Sequence, residues 1–135
     1  MTRTICVLVL LLALVGIAIT EQICVNKVYT HMGTETMAII TMVKSTPYDE
    51  DKKAEFDETT IARIDSLHDY WRKRERTLGI AIRHIDLSYI SDAIIYARNF
   101  VHSGNWEESV GGLARLEYFV KSYHEIYKLN GVNIL

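Results

Sequence analysis

The chain has 135 residues, of which only one is proline and seven are glycine, and its formal net charge is −2 at pH 7. This charge gives no general attraction to nucleic acid, and the length allows one small domain around a single hydrophobic core. The shortage of proline and glycine favours helices over many short strands joined by turns.

An uncharged apolar segment runs from Ile5 to Thr20, directly after Arg3 and Thr4. As a helix it would be about 24 Å long, and the residues up to Cys24 extend it toward the ~30 Å hydrocarbon core of a bilayer. We therefore interpret residues 1–24 as a single-pass membrane anchor and residues 25–135 as a helical domain. The predicted anchor residues are Ile5, Leu8, Leu10, Leu11, Leu12, Leu14, Val15, Ile17 and Ile19.

Other interpretations of this segment stay open. Ala18-x-Thr20 fits a signal-peptide cleavage site loosely, and cleavage near Thr20 would release a secreted soluble helical factor. The segment could also be a buried core helix. A lipoprotein site at Cys24 is disfavoured, because Glu21-Gln22-Ile23 before it contains no small residue.

The charges that flank the segment indicate its orientation. Arg3 and the free amine precede it, and Lys27 is the nearest cation after it. A very short N-terminal tail usually stays in the cytoplasm, so we expect the C-terminal domain on the extracytoplasmic side of the cell membrane. Cys6 and Cys24 would lie about 27 Å apart on one helix, too far for a disulfide between them.

The spacing of apolar residues predicts two helices in the first half of the domain. The first continues from the anchor through Val25 to Val43 and ends at Thr46-Pro47, since the residue before a proline disfavours helix. The second is predicted from about residue 50 to 74. Acids suited to its N-terminus are Asp49, Glu50 and Asp51.

Two further helices follow. The third carries a wide apolar stripe, with Thr77 and Asp86 both acceptable N-caps. The fourth begins at Asn105-Trp106 and reaches a stop signal at Leu129-Asn130-Gly131, after which Val132 to Leu135 form an apolar tail. The stripe residues of the third helix are Leu78, Ile82, Ile85, Tyr89, Ala93, Tyr96 and Phe100, widened by Ile90, Ile94, Ala97 and Val101.

The paired glycines Gly111-Gly112 inside the fourth helix predict a close approach by a facing helix, since each costs about 1 kcal/mol relative to alanine. The helices form two antiparallel hairpins, one around Pro47 and one around Gly104-Asn105. We therefore predict an all-α fold, either a small four-helix bundle or a helical-repeat-like stack.

We find no catalytic, cofactor or metal motif in the sequence. The histidines lack the i, i+4 pairing of a zinc-protease helix, and the Glu-x-x-His motif of di-iron bundles is missing. Asp65-x-x-His68 and His84-x-Asp86 bring carboxylate and imidazole close in sequence. These pairs leave one alternative, in which the chain is a small envelope hydrolase or ligand-binding enzyme that uses His68 or His84 with a nearby carboxylate.

A run of cations, Arg72-Lys73-Arg74 and Arg76, has two interpretations. It is either a patch for lipid headgroups or an anionic polymer, or the solvated C-terminus of a helix. With Trp71 and Trp106 these residues are the predicted contact surface for another envelope protein or a second copy of the chain. The aromatic residues at helical spacing are expected in the core and at its rim: Tyr89, Tyr96, Tyr118, Tyr123 and Tyr127.

Several short motifs carry a family resemblance, namely Trp71, Leu78, His84-Ile85-Asp86, Asn105-Trp106 and the ending 129–135. With the anchor, they resemble a family of short, membrane-anchored bacterial proteins, mainly from spore-forming anaerobes, described only as a domain of unknown function. The resemblance covers nearly the whole chain. It implies a single anchor and an all-helical domain, with no established activity and no functional residues to assign.

Overall fold

The computed structural model describes residues 2–50 and 52–132, and within these residues there is no strand. The four helices are α1 (Thr2–Ser45), α2 (Glu58–Leu78), α3 (His84–Ser103) and α4 (Trp106–Val132). The predicted all-α fold is confirmed.

The first helix is unbroken over 44 residues, which corresponds to a length of about 66 Å. From Thr4 to Thr20 it is exposed and mostly apolar, whereas from Val25 onward one face is buried in the domain. The predicted continuation from anchor to domain and the end just before Thr46-Pro47 are both confirmed. The buried residues of α1 are Val25, Val28, Tyr29, Met32, Thr36, Ile39, Ile40 and Val43.

The C-terminal half of α1 joins the other helices in an up-and-down bundle. Helix α1 packs against α2 and α4, and α3 also packs against α2 and α4. Among the described residues, the two diagonal pairs make no close backbone contact. The two predicted hairpins therefore pair side by side around one core, as in a four-helix bundle.

The second helix begins at Glu58, so the predicted start near residue 50 is wrong. Asp57 is the N-cap, and its carboxylate accepts a hydrogen bond from the Thr60 N–H at 2.8 Å. The preceding loop crosses the end of the bundle, where the Ala54 N–H donates to the Gly104 carbonyl oxygen at 2.7 Å. Helix α2 also extends past the predicted end at 74, to Leu78.

The third helix begins at His84, between the two predicted starts. Thr77 belongs to α2, and Asp86 lies inside the first turn of α3, where its N–H donates to the Arg83 carbonyl oxygen at 3.0 Å. The buried stripe is narrower than predicted, because Ile85, Tyr89 and Tyr96 are exposed. The buried residues of α3 are Asp86, Leu87, Ile90, Ala93, Ile94, Ala97 and Val101.

The fourth helix confirms the close approach at one of its two paired glycines. A Cβ added at Gly112 would lie 2.9 Å from Tyr96 Cδ1 and 3.0 Å from Ala97 Cα, whereas one at Gly111 would meet nothing within 4 Å. The predicted stop at Leu129-Asn130-Gly131 is wrong, since α4 continues to Val132. The rest of the predicted tail lies outside the described residues.

Candidate functional site

The N-terminal half of α1 is long and apolar enough to cross a membrane by length and composition, with a mean hydropathy of 2.5 over its most apolar window. None of that window is buried, which contradicts the interpretation as a core helix. From Thr4 to Cys24 the helix rises about 32 Å, close to the hydrocarbon thickness of a bilayer. The predicted anchor side chains are all 55–65% exposed: Ile5, Leu8, Leu10, Leu11, Leu12, Leu14, Val15, Ile17 and Ile19.

The helical bundle has two ends, which we name by their distance from this segment. At the proximal end α1 emerges beside loop 79–83, which joins α2 to α3, and beside the C-terminal turns of α4. The distal end is formed by loop 46–57 and the turn at Gly104-Asn105. The 20 residues of α3 separate the two ends by about 30 Å.

The structure does not bring the predicted contact residues together. Trp71 is 1% exposed, and its indole N–H donates to Ser91 Oγ at 2.8 Å, so it is a core residue. Trp106 is half-buried at the distal end, where its indole N–H donates to the Val43 carbonyl oxygen at 3.0 Å. The cation run lies at the other end, on the last turns of α2.

The four cations of that run have different environments. The Arg74 guanidinium lies 3.9 Å from the centre of the Tyr70 ring, in a cation–π contact. Arg72, Lys73 and Arg76 are exposed and form no ion pair within the described part of the chain. Three unpaired cations are therefore available at the proximal end.

Loop 79–83 presents Ile80, which is 80% exposed, between two surface depressions. Ile80 is not among the predicted site residues, because its exposure depends on the end of α2 at Leu78, which differs from the predicted end at 74. One depression, of about 200 Å³, is lined by Thr20, Glu21, Cys24, Val25, Thr77, Leu78, Ile80 and Ala81. The other, of about 530 Å³, is lined by Arg72, Glu75, Arg76, Gly79, Ile80 and His84.

A buried polar network closes the proximal end behind this loop. The Asp86 side chain is 3% exposed and accepts hydrogen bonds from Arg83 Nε at 2.9 Å and Tyr127 Oη at 2.7 Å. The Gln22 amide donates to the Tyr127 carbonyl oxygen at 3.1 Å, which joins α1 to α4. The buried Tyr29 hydroxyl nearby has no hydrogen-bond partner among the described residues.

The distal end is held by its backbone and by surface pairs. Gly104 has φ = +72°, and a Cβ there would lie 2.6 Å from the Ala54 carbonyl oxygen. The Tyr48 ring packs against Trp106 in a tilted arrangement, with ring centres 4.8 Å apart. Its hydroxyl donates to Glu107 at 2.8 Å, and this bond raises the pKa of Tyr48 to about 12.

The predicted carboxylate–histidine pairs do not form. Asp65 instead accepts hydrogen bonds from Arg98 Nε at 2.6 Å and pairs with His102 Nε2 at 2.8 Å. His68 and His84 line different depressions on the molecule. Within residues 2–50 and 52–132, no group of three histidine, cysteine or acidic side chains could hold a metal ion.

Aromatic side chains line the outer junction of α3 and α4. Tyr89 and Phe119 stack with ring centres 5.4 Å apart, and Tyr118 is 66% exposed. Tyr123 is buried and Tyr127 half-buried, so the expected core packing holds for only part of the set. We call this surface the aromatic seam: the exposed Tyr89, Tyr96 and Tyr118, with the half-buried Phe100 and Phe119 between them.

No family model, curated protein or solved structure matches this chain. The resemblance to membrane-anchored bacterial proteins of spore-forming anaerobes therefore stays a prediction.

Proposed function

We propose that this chain is a membrane-tethered, non-enzymatic interaction protein of the bacterial cell envelope. One observation carries the proposal: a single helix has an apolar half that no part of the bundle covers and a second half that forms the bundle core. A soluble protein rarely exposes an apolar surface of this size. A lipid bilayer would cover it and leave the bundle in water.

The geometry around Thr20 supports an uncleaved anchor over a cleaved signal. The helix is continuous through this residue, and Gln22, two residues on, is hydrogen-bonded to α4. Cleavage near Thr20 would leave Gln22 within two residues of a new chain end, where helices fray, so the contact of Gln22 with α4 favours an intact α1. Arg3 before the apolar segment, with Lys27 the nearest cation after it, supports a bundle on the extracytoplasmic side of the cell membrane.

The proposed mechanism is tethering. The anchor confines the bundle to the membrane surface, which raises its effective concentration toward any partner in the same membrane. The aromatic seam is the proposed contact surface, because exposed tyrosines supply large contact areas with hydrogen-bonding tips and are frequent interface hot spots. The partner is another envelope protein or a second copy of this chain.

The anchoring is tested by fractionating cells that express the full chain, with intact-mass analysis and protease added outside the cells. We expect the full mass in the membrane fraction and digestion of the bundle from outside. Release into the medium with loss of about twenty residues would contradict the tether. Full mass with protection from external protease would contradict only the orientation.

The contact surface is tested separately with a photoreactive amino acid at Tyr118. A matched control carries it at Lys53, on the distal loop, which is exposed but outside the seam. We expect crosslinked products from position 118 and few from position 53. Equal crosslinking at both positions would contradict the seam as the contact surface.

A further inference from the structure

We propose that the proximal end of the bundle binds anionic phospholipid headgroups, with a lipid phosphate in the depression at Arg72 and Arg76 and with Ile80 at the edge of the acyl region. This inference rests on the membrane anchoring proposed above. It adds the lipid class and the residues that bind it.

The first step is the position of loop 79–83 along the anchor. Ile80 lines one depression together with Thr20, Glu21 and Cys24, which mark the end of the apolar segment of α1. Because α1 is one continuous helix, the bundle extends along the same axis as the anchor. The proximal end therefore faces the bilayer, and the 80% exposed Ile80 lies at the level where hydrocarbon meets headgroups.

The second step is the chemistry of the larger depression beside Ile80. Arg72 and Arg76 are one helical turn apart on α2, and both line this depression together with His84. The lining acid, Glu75, already accepts a hydrogen bond from Ser91 Oγ at 2.8 Å. Guanidinium groups bind phosphate through paired N–H donors, so the depression suits a lipid phosphate.

The third step is the charge difference between the two ends. Residues 72–84 contain five lysines and arginines and one acid, whereas the described residues of the distal end, 46–50 and 52–58, contain two lysines and five acids. A cation close to an anionic membrane surface increases binding by about fivefold. The positive end therefore faces the membrane and the negative end faces away from it, as the field of an anionic bilayer favours.

The test uses the full chain with Ile80→Trp as a fluorescent reporter, reconstituted in phosphatidylcholine vesicles. In separate samples, an equal fraction of brominated phosphatidylglycerol or brominated phosphatidylcholine is added as a quencher. We expect the anionic quencher to be at least twice as effective as the neutral one. When Arg72→Gln and Arg76→Gln are combined with the reporter, the two quenchers should become equally effective.

Two controls make the result specific. Lys52→Gln/Lys53→Gln removes the same charge at the distal end and should leave the preference unchanged. The chain without the reporter gives the background from Trp71 and Trp106, the first of which is buried and the second of which lies at the distal end. Inorganic phosphate should reduce the stronger quenching by the anionic lipid no more than chloride does at the same ionic strength.

Several outcomes would overturn the inference. Equal quenching by the two lipids in the reporter chain would show that the loop does not select the anionic lipid. No quenching by either lipid would show that the loop does not reach the bilayer. Loss of the preference with free phosphate shows a site for a soluble anion. Failure of the chain to float with the vesicles is a different result, because it contradicts the anchoring itself.

Discussion

The two ends of the bundle are held by different interactions. The distal end depends on backbone geometry, where Gly104 takes a left-handed conformation and its carbonyl oxygen accepts from the Ala54 N–H. The proximal end depends on side chains, with the buried Asp86 carboxylate accepting hydrogen bonds from the exposed Arg83 and the half-buried Tyr127. The ends also carry opposite charge. An end held mainly by side chains is sensitive to the loss of one of their polar groups, whereas one held mainly by backbone contacts is sensitive to added side-chain atoms.

The largest expected effect is that of Gly104→Ala at the distal end. Its Cβ would lie 2.6 Å from the Ala54 carbonyl oxygen, and the positive φ disfavours any L side chain. We expect the free energy of unfolding to fall by about 3 kcal/mol. Thermal unfolding of the full chain in detergent micelles, followed by circular dichroism, measures this loss.

Gly111→Ala is the matched control, because a Cβ there meets nothing within 4 Å. It should raise the free energy of unfolding by about 0.5–1 kcal/mol, through helix propensity alone. Equal effects of the two substitutions would show that the distal turn is not constrained by its backbone.

Asp86→Asn should have the next largest effect, at the proximal end. The change removes the buried charge that pairs with Arg83 and weakens the hydrogen bond from Tyr127. We expect a loss of about 2 kcal/mol in the free energy of unfolding. The control is Asp92→Asn, at an exposed position of α3, which should change stability little. A similar small effect for both would contradict the network as the element that holds this end.

Tyr29→Phe is expected to stabilise the chain, by about 1 kcal/mol, because the hydroxyl that it removes is buried without a partner in the described residues. Tyr127→Phe, which removes a hydroxyl bonded to Asp86, should destabilise it. The two melting temperatures should therefore move in opposite directions. A lower melting temperature for Tyr29→Phe would show that its hydroxyl is hydrogen-bonded.

The smallest expected effects concern pH, where Asp65 should reduce stability at acid pH and tyrosines with a raised pKa should reduce it at alkaline pH. In the distal half, burial opposes ionisation of Asp65, but hydrogen bonds from His102 and Arg98 outweigh it and lower the pKa of this carboxyl. A lowered folded-state pKa gives stability that is present above the unfolded pKa near 4 and lost as pH falls below it. Melting temperature should therefore fall between about pH 5 and 3. Asp65→Asn should reduce this fall in melting temperature at acid pH.

The groups that act at alkaline pH include Tyr29 and Tyr127 at the proximal end and Tyr48 at the distal end. Burial raises the pKa of Tyr29, and burial followed by the hydrogen bond to Asp86 raises the pKa of Tyr127. A raised folded-state pKa gives stability that is present below the unfolded pKa near 10 and lost as pH rises above it. In a plot of melting temperature against pH, Tyr29→Phe should reduce the fall at alkaline pH and leave the fall at acid pH unchanged. If Tyr29→Phe also reduced the fall at acid pH, the contributions of Tyr29 and Asp65 would not be independent.

The helices were predictable because apolar spacing and proline position act locally. The stripe from Val25 to Val43 and the end before Pro47 follow from periodicity and steric restriction, and the structure has both. The start of α2 was not predictable from the acids at 49–51, because the N-cap is Asp57 and the preceding loop is fixed by a tertiary contact with Gly104. Neighbouring helices determine such boundaries.

The candidate site was predictable only in part. The cation run was recognised from sequence, but its position beside the exit of the anchor depends on the bundle topology. Trp71 is an aromatic residue next to this run in sequence, yet it points into the core, since neighbours on a helix are about 100° apart. The pairing of Asp65 with Arg98 and His102 joins two helices and has no local signal.

The unbroken α1 joins the apolar segment and the bundle in one helix. Because a helix turns by about 100° per residue, the number of residues between the apolar segment and the core determines the direction in which each face of the bundle points around the axis of α1. One residue inserted after Thr20 would rotate every face of the bundle by about 100° and raise it by about 1.5 Å. Two anchors that meet along one side within the bilayer would thereby determine which sides of their bundles meet above it.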